Sequence, residues 1–543
     1  MMISSRGLVV ATALAVTVAV APGPVAGAGR SAGSTAAATA ASLPLGPADL
    51  PETRTTRLLQ PGVTLTTIVR GEPDPADLWT VEVAIPGGSG SPDPDAPPTV
   101  LSGREHADSL AAELREQGFE PRVEEVTTPA VADYSGGSLG YRVRVGHFAA
   151  RPEADTELAR VRAARFTAST VFTGWDGAAS DRGPWRLQVL TVDPATFVGE
   201  LTASYGPDIE RRETTSALAA AASATAGVNA GFFVLDPAAG APGDPAGVGV
   251  YDGQLLSETV DGRPAFVIRK DATGSRVVRL RWAGSVVGRR HARLALDGID
   301  RVPGKIRNCG GTADDVPTDQ PLHDVTCTDP DELVAFTPQY GASTPTGPGL
   351  EAVLDRSGRV VDLRSPRGGS LPDHGSSIQA SGNDVAALRA FASRGQQLQV
   401  VKTLVDGAGH RLQTSPTTAV VNGGPELVRH GVQHATPATD GMVHPDDPSF
   451  YYGWAAKRNP RTIAGVDPLG RTILATVDGR SLLSLGLSIA ESAAVARALG
   501  MTEAVNLDGG GSTTMVVDGQ IVNSPSDAAG ERPVGDAVLV LPR

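Results

Sequence analysis

The residues best suited to chemistry lie near the C-terminal end, in the segment Asn506–Thr513 (NLDGGGST). An apolar run brings Asn506 and Asp508 to a point where three successive glycines remove every side chain. Glycine lets the backbone approach a ligand closely, although it loses more conformational entropy on folding than any other residue. A carboxylate beside such a gap indicates a binding or catalytic site. A strand-turn-strand hairpin with a solvated Asp508 is the alternative.

Several other segments repeat this pattern, in which a β-prone run ends in Asn or Asp close to glycine. They contribute Asn229 (VNAGFF), Asn422 (VVNGGP), Asn459 with Arg461 (RNPRT), and Asp478 with Arg480 (TVDGR). Open sheets usually build their sites at strand ends, so these polar groups are predicted to converge. The segment Ser484–Met501 has helical spacing and ends at Gly500, and its Glu491 is either a buried acid facing Asp508 or a solvated helix residue.

In this order, the segments resemble the phosphodiester glycosidase family, typified by N-acetylglucosamine-1-phosphodiester α-N-acetylglucosaminidase. The resemblance covers about residues 184–543 and rests on NAGFF, NPRT, DGR, the Ala490-Glu491 pair in its helix, and NLDGGGSTT. It implies hydrolysis of a sugar-1-phosphodiester, which releases the sugar and a phosphomonoester. The chemistry requires phosphate recognition and one or two carboxylates, because the transition state resembles an oxocarbenium ion.

These requirements assign expected roles to the candidate residues. The expected catalytic carboxylates are Asp508, Asp478 and Glu491. Arg461 and Arg480 are expected to bind phosphate, because guanidinium groups match its oxygens bidentately. The N–H groups of Gly509, Gly510, Gly511 and Ser512 are predicted to form an anion nest, and Thr513 adjoins it. Asn229, Asn422, Asn459 and Asn506 are expected to bind sugar hydroxyls or orient the acids. Structural roles as turn residues or salt bridges are the alternatives.

The elements that would position these residues form an α+β protein. Residues 184–543 are predicted as a mixed-sheet phosphodiester glycosidase domain. Residues 76–175 are predicted as a small ferredoxin-like unit, because strands and helices follow the order βαββαβ. With the run Tyr141–Phe148 (YRVRVGHF) before its second helix, this unit resembles the SPOR domain, which binds peptidoglycan glycan. A spacer without ligand is the alternative.

The N-terminus is typical of a Sec signal peptide. Arg6 precedes an apolar stretch, and small residues follow at Ala26–Ala28. We therefore predict a signal peptide over residues 1–28, a flexible segment over 29–51, and a strand within 52–72 that joins the C-terminal domain. The expected location is secreted or cell-wall associated, with no membrane contact after signal removal. A retained N-terminal anchor is the alternative.

Composition narrows the choice of partners. The 60 acidic residues exceed the 47 basic ones, which argues against nucleic acid as the main partner and leaves a glycosyl-phosphate carbohydrate as the expected substrate. The only cysteines, Cys309 and Cys327, are expected to form a disulfide in an exported chain, stabilising it by about 3 kcal/mol.

No cofactor is required for the expected reaction, and the metal content is unknown from sequence. Calcium or another divalent ion on scattered Asp-Gly loops is an alternative. A histidine- and aspartate-rich stretch before Arg458 contains Asp440 and is interpreted as a solvated loop of the site rather than a metal centre. Two other functions stay open: a non-catalytic cell-wall glycan-binding protein, and a metal-dependent phosphodiesterase that cuts the P–O bond.

Overall fold

The computed structural model describes residues 42–86, 97–260, 262–307, 312, 314–318, 326–444 and 446–543. The predicted signal peptide and Cys309 lie outside these residues. The signal peptide and the disulfide between Cys309 and Cys327 therefore stay predictions. Cys327 is buried beside Ile306. Within the described chain, no helix is both long enough and apolar enough to cross a membrane.

The segment 42–51 is ordered, which differs from the predicted flexibility of residues 29–51. Leu43, Leu45 and Leu50 are buried in the main core. Arg70, which is itself buried, donates hydrogen bonds to the carbonyl oxygens of Leu45 at 2.8 Å and Pro47 at 2.9 Å. The burial of three leucines and these bonds offset the entropy of ordering the segment.

Two strands replace the single one predicted before the small domain. They are β1 (Glu52–Gln60) and β2 (Val63–Arg70). The small domain then follows the predicted order, with β3 (Trp79–Val83), α1 (Arg104–Glu116), β4 (Pro121–Thr128), β5 (Gly137–Phe148), α2 (Arg151–Ala163) and β6 (Ala168–Phe172). Its antiparallel sheet has the order β4-β5-β3-β6, and both helices cover one face through an apolar core.

The remaining chain is mostly strand. Its first part contains β7 (Trp185–Val192), β8 (Glu200–Ser204), β9 (Glu213–Thr214), α3 (Thr215–Ala221), β10 (Ala226–Asn229), β11 (Gly249–Tyr251), β12 (Gln254–Ser257), β13 (Pro264–Arg269), β14 (Arg276–Val287), β15 (Arg293–Leu296), β16 (Gly298–Ile299), β17 (Ile306–Arg307), β18 (Val316–Pro317), β19 (Thr326–Thr328) and β20 (Leu333–Phe336).

The second part carries most of the candidate residues. It contains β21 (Ser343–Gly347), β22 (Leu350–Leu354), β23 (Val360–Arg364), β24 (Arg367–Ser370), β25 (Ser376–Ala380), α4 (Asp384–Phe391), β26 (Gln399–Asp406), β27 (Thr418–Asn422), β28 (Glu426–Arg429), β29 (Val432–Gln433), α5 (Pro448–Tyr451), β30 (Arg461–Val466), β31 (Thr472–Val477), α6 (Ile489–Ala498), β32 (Glu503–Asn506), β33 (Met515–Val517), β34 (Gln520–Ile521), β35 (Pro533–Val534) and β36 (Ala537–Leu541).

An eight-stranded sheet with the order β1-β2-β7-β31-β30-β32-β28-β29 forms the centre. Every neighbouring pair in it is antiparallel, and β16-β20 is the only parallel pair among the described strands. The described chain is therefore mostly β with few helices, a strand-rich form of the expected α+β class, and its central sheet is antiparallel instead of mixed. The pairing of β2 with β7 places the N-terminal hairpin in this central sheet.

The middle of the central sheet is buried on both faces, and successive side chains along each strand point to opposite faces. On β31, Ile473 and Ala475 pack into the core that includes α6, whereas Leu474 packs into the core on the opposite face. The second core also contains residues of a five-stranded sheet with the order β34-β33-β10-β36-β8. The central sheet is thus held between α6 and a second β-layer.

The sheet face of the small domain that the helices leave open is covered by the C-terminal chain. Arg144 of β5 is 1% exposed; it donates to Glu82 Oε2 at 2.8 Å and to Asp176 Oδ2 at 2.6 Å. Tyr452, from a short π-helix over Tyr452–Ala456, donates to Asp176 Oδ1 at 3.1 Å, and Lys457 Nζ lies 3.7 Å from Glu82. The open face is therefore part of an interface between the domains.

Burial alone would raise the pKa values of Glu82 and Asp176. The neighbouring cations, led by Lys457 for Glu82 and by Arg144 for Asp176, instead hold both pKa values below their usual range. A depressed carboxylate pKa stabilises the fold above the unfolded value of about 4, and this stabilisation is lost as pH falls.

We predict that Arg144→Met lowers the free energy of unfolding by roughly 3–5 kcal/mol at pH 7, because Asp176 loses its main cationic partner and buried Glu82 loses the guanidinium that donates to it. Urea titrations at pH 7 and pH 4 measure the effect, which should shrink at the lower pH as the carboxylates protonate. Arg104→Met is the control, since the Arg104–Asp108 pair is exposed. Equal stability of the two variants would contradict this account of the interface.

Candidate functional site

Several candidate residues lie at one edge of the central sheet. At this edge β30 begins, and its two neighbours β31 and β32 end. Arg461, the first residue of β30, lies opposite Val477, the last residue of β31. Asn506, which ends β32, lies opposite Ile463. Asp478 and the Asp508 turn follow directly from these strand ends. Antiparallel pairing therefore brings these three segments to the same edge of the sheet.

The Asp508 turn is held in place by Asn229, which is fully buried at the end of β10. Asn229 Nδ2 donates to the carbonyl oxygen of Asp508 at 2.7 Å, and its Oδ1 accepts from Thr462 Oγ1 at 2.8 Å and from the Thr514 N–H at 3.1 Å. The Asp508 N–H donates to the Ala230 carbonyl at 2.9 Å. Asn229 therefore fixes the backbone beneath the carboxylate instead of facing a ligand.

Each glycine of the turn has a separate steric reason. A Cβ on Gly509 would lie 2.9 Å from the Pro460 carbonyl oxygen, and one on Gly511 would lie 2.3 Å from Arg532 and Asp527 side-chain atoms. Gly510 has φ +57°, and a Cβ there would lie 3.4 Å from Arg480 Nη2. The three glycines therefore let the Pro460 backbone, the Arg532–Asp527 ion pair and the Arg480 side chain approach the backbone beside Asp508.

The anion nest predicted for this turn is mostly occupied by bonds within the protein. The Gly509 N–H donates to Asp508 Oδ1 at 2.9 Å, the Gly510 N–H to the Pro460 carbonyl, and the Ser512 N–H to the Gly509 carbonyl. Only the last of these bonds belongs to the short 3₁₀ turn over Gly510–Ser512. As a group, these N–H donors are therefore used within the protein and are not free to bind a phosphate.

Arg480 is the cation that reaches this turn from solvent. Its Nε and Nη2 donate to Asn459 Oδ1 at 3.1 and 3.0 Å, and Asn459 Nδ2 donates to the Gly453 carbonyl at 2.9 Å. Asn459 thus orients the guanidinium above Gly510. Arg480 is exposed, which fits the predicted phosphate contact, whereas buried Asn459 acts through Arg480.

Arg461 has a different environment from the one predicted. It is 3% exposed, and it donates to the carbonyl oxygens of Leu487 at 2.9 Å and Trp454 at 2.7 Å. Burial, followed by the charge of Arg480, lowers the pKa of Arg461 to about 9, so it is still charged at neutral pH. Through these bonds, Arg461 holds the loops around Arg480 in place. Its charge adds positive potential near Arg480.

Asp478 lies below the surface beside the C-terminal loop. Its Oδ1 accepts from the Ser524 N–H at 2.8 Å and from Asn523 Nδ2 at 3.3 Å. Burial raises the pKa of Asp478, although these two hydrogen bonds act in the opposite direction. Asn523 and Ser524 were not predicted, because nothing in their local sequence distinguishes them from ordinary loop residues.

Glu491 is bound to structural partners, and its role as an acid facing Asp508 stays a prediction. It accepts from Arg458 Nη2 at 2.6 Å and from the Ser488 N–H at 2.9 Å, while Ser488 Oγ accepts from the Glu491 N–H at 3.1 Å. This reciprocal pair is a capping box, and α6 begins at Ile489 rather than near Ser484. The Ser-x-x-Glu spacing in the sequence is the signal that could have predicted this helix-capping role.

The other predicted polar residues divide into backbone supports and unpaired groups. Asn422 exchanges two hydrogen bonds with the backbone of Phe232, and Asn506 Nδ2 donates to the carbonyl oxygens of Gly424 and Leu507. Asn506 Oδ1 and the hydroxyls of Ser512 and Thr513 are buried with no partner among the described residues. Unpaired buried polar atoms next to Asp508 are an unusual feature that favours a functional site.

Metal ligands do not assemble around Asp508 in the described part of the chain. There, the one group with three candidate ligand atoms within 4.8 Å is Asp314, Asp315 and Asp329, on the β18 and β19 segments. Asp440 from the predicted solvated loop is fully buried and pairs with Arg279 at 2.7 Å, so that part of the loop is structural.

Comparisons with known proteins match this architecture. The family model described as phosphodiester glycosidase matches residues 349–541, and the SPOR domain model matches residues 100–172. A crystal structure of an exported protein from Burkholderia pseudomallei is 34% identical, with a TM-score of 0.81, and the alignment covers 92% of this chain and 98% of that chain.

Two further matches are more distant or shorter. A hypothetical protein from Synechocystis shares the fold, with 16% identity and a TM-score of 0.51, over 91% of this chain and 76% of that chain. The prophage-derived protein YomE of Bacillus subtilis is 36% identical over 83 residues, which is 15% of this chain and 13% of that relative.

We predict that Glu491→Gln lowers the free energy of unfolding by about 2 kcal/mol, because buried Arg458 loses one of its two carboxylate partners and keeps Asp181. Thermal and urea unfolding measure this loss. Glu153→Gln is the matched control: Glu153 holds the same position in α2, but it is exposed and its bond to the Ala150 N–H is 3.4 Å long. A stable Glu491→Gln protein would contradict the structural role.

Proposed function

The chain belongs to the phosphodiester glycosidase family and carries a SPOR domain, and from this premise we propose that it hydrolyses a sugar-1-phosphodiester in an extracellular or cell-envelope glycan. The products are the free sugar and a phosphomonoester. The observation that carries the proposal is the meeting of Asp508, the glycine turn and Arg480 at one sheet edge.

Arg480 is the proposed phosphate ligand. It is the exposed cation beside Gly510, and Asn459 fixes the plane of its guanidinium, so two N–H groups can meet two phosphate oxygens. Buried Arg461 adds positive potential behind it without direct contact. Negative charge that develops on the departing phosphate would be stabilised by both arginines.

Asp508 is the proposed carboxylate that acts on the anomeric carbon, either as a nucleophile or as a base for water. Its backbone is fixed on both sides by Asn229 and Ala230, which preorganises the side chain. Asp478 is the proposed second carboxylate. Burial raises its pKa, but a phosphate leaving group needs little help from an acid, so its contribution should be smaller.

The location of the reaction is proposed from the relatives. The Burkholderia relative is described as an exported protein, and SPOR domains bind peptidoglycan, so we infer a secreted or cell-wall-associated enzyme. The strand order and one-sided helices of the small domain support a ferredoxin-like unit. A non-catalytic glycan-binding protein is the second candidate, favoured by the SPOR match alone.

We expect Asp508→Asn to lower kcat by about 1,000-fold, and Asp478→Asn to lower it less, since each removes a charge but keeps the shape. Reducing-sugar release from the methyl diester of N-acetylglucosamine 1-phosphate measures both. Asp518→Asn is the matched control. Asp518 lies ten residues after Asp508 and, like it, directly precedes a glycine. It is exposed, and it adopts the left-handed conformation that Asn tolerates. Undiminished activity of Asp508→Asn would refute the assignment.

Replacing Arg480 should weaken binding of the substrate phosphate, because this side chain is the proposed phosphate ligand. We predict that Arg480→Ala raises KM by about tenfold or more and that Arg480→Lys recovers part of the loss, because lysine keeps the charge without the bidentate fork. Inorganic phosphate should inhibit the wild-type enzyme competitively and inhibit Arg480→Ala much less. Equal inhibition of both proteins would exclude Arg480 as the phosphate ligand.

A further inference from the structure

A cavity of about 360 Å³ lies between the small domain and the segment that precedes β30. Trp79 and Arg151 of the small domain form one wall, and Trp454 and Lys457 form the opposite wall. Trp175, in the turn after β6, also lines it. The volume is within the range of small-molecule binding pockets. Neither domain alone would enclose this space.

Aromatic residues are concentrated in this cavity. The whole chain has five tryptophans, and three of them, Trp79, Trp175 and Trp454, line it. The rings of Trp79 and Trp175 meet edge to face at 5.5 Å, and Trp175 and Trp454 are half-buried. Half-exposed indole rings present flat apolar surface, onto which the C–H face of a pyranose ring packs well.

One polar group in the wall lacks a partner. Trp175 Nε1 is buried and has no hydrogen-bond acceptor among the described residues. Buried indole N–H groups usually have an acceptor, so this donor favours a ligand with oxygen atoms. A sugar, which combines an apolar ring face with a rim of hydroxyl oxygens, meets both demands.

The cavity and the proposed catalytic edge share one side chain, that of Arg480. Arg480 and Asn459 line the cavity, and the same Arg480 side chain lies beside Gly510 in the Asp508 turn. Arg458, which also lines the cavity, is neutralised by Glu491 and Asp181. Arg480 is therefore the cation shared by the cavity and the turn, and a phosphate held by it would have the cavity on its far side.

We propose that this cavity is a saccharide subsite for the sugar residue on the far side of the scissile phosphate. The small domain builds part of this subsite through Trp79 and Arg151, and Arg151 lies within the residues that match the SPOR model. The inference rests on the proposed function for the identity of the phosphate.

The test compares two diesters of N-acetylglucosamine 1-phosphate, one with methanol and one with the 6-hydroxyl of mannose, on the full chain. Arg151→Ala and Trp454→Ala should lower kcat/KM for the mannose diester about tenfold more than for the methyl diester, mainly through KM. Arg160→Ala is the control on the same helix: it is also exposed and also lies over an aromatic ring, that of Phe119, outside the cavity.

Binding is measured separately by calorimetric titration of the mannose diester into each protein. If the wild type hydrolyses neither diester but binds the mannose diester, and Arg151→Ala and Trp454→Ala weaken that binding about tenfold, the subsite stands and the proposed function fails. If both variants match Arg160→Ala in binding and in the ratio of the two kcat/KM values, the subsite is overturned. Arg151 is 65% exposed, so its replacement should not unfold the chain.

Discussion

The site depends on one buried side chain, the amide of Asn229. It connects three parts of the fold: the end of β10, the side chain of Thr462 on β30, and the backbone on both sides of the glycine turn. Because β10 belongs to the five-stranded sheet and β30 to the central sheet, this amide fixes the two layers relative to each other at the position of Asp508. A buried amide with all these bonds satisfied is costly to replace, since any change leaves unpaired groups.

The small domain adds a second constraint. The face of its sheet that carries no helix packs against the C-terminal chain, because Arg142 and Asp176 bond to the Tyr452 hydroxyl and Glu82 faces Lys457. Contact between this domain and a glycan must therefore use another surface. The tryptophan-lined cavity offers one, and it joins the domain to the catalytic edge instead of leaving it as a separate anchor.

Much of the architecture could be predicted from sequence, because it depends on local periodicity. The βαββαβ order of the small domain and the grouping of Asn229, Arg461, Asp478 and Asp508 are examples. Side-chain roles were harder, because they depend on contacts distant in sequence. Arg461 looks like a phosphate ligand until its burial against backbone carbonyls is known, and the leucines of residues 42–51 look like linker residues until Arg70 is placed. Glu491 is the exception, since its capping-box spacing was visible in the sequence.

The central claim is that the bond between the anomeric carbon and the phosphate oxygen is cleaved at the Asp508 edge. Turnover of a sugar-1-phosphodiester in water labelled with heavy oxygen tests it most directly, with both products analysed by mass spectrometry at early times. Our account predicts the label in the released sugar and none in the phosphomonoester. Label in the phosphomonoester would show P–O cleavage and contradict the account.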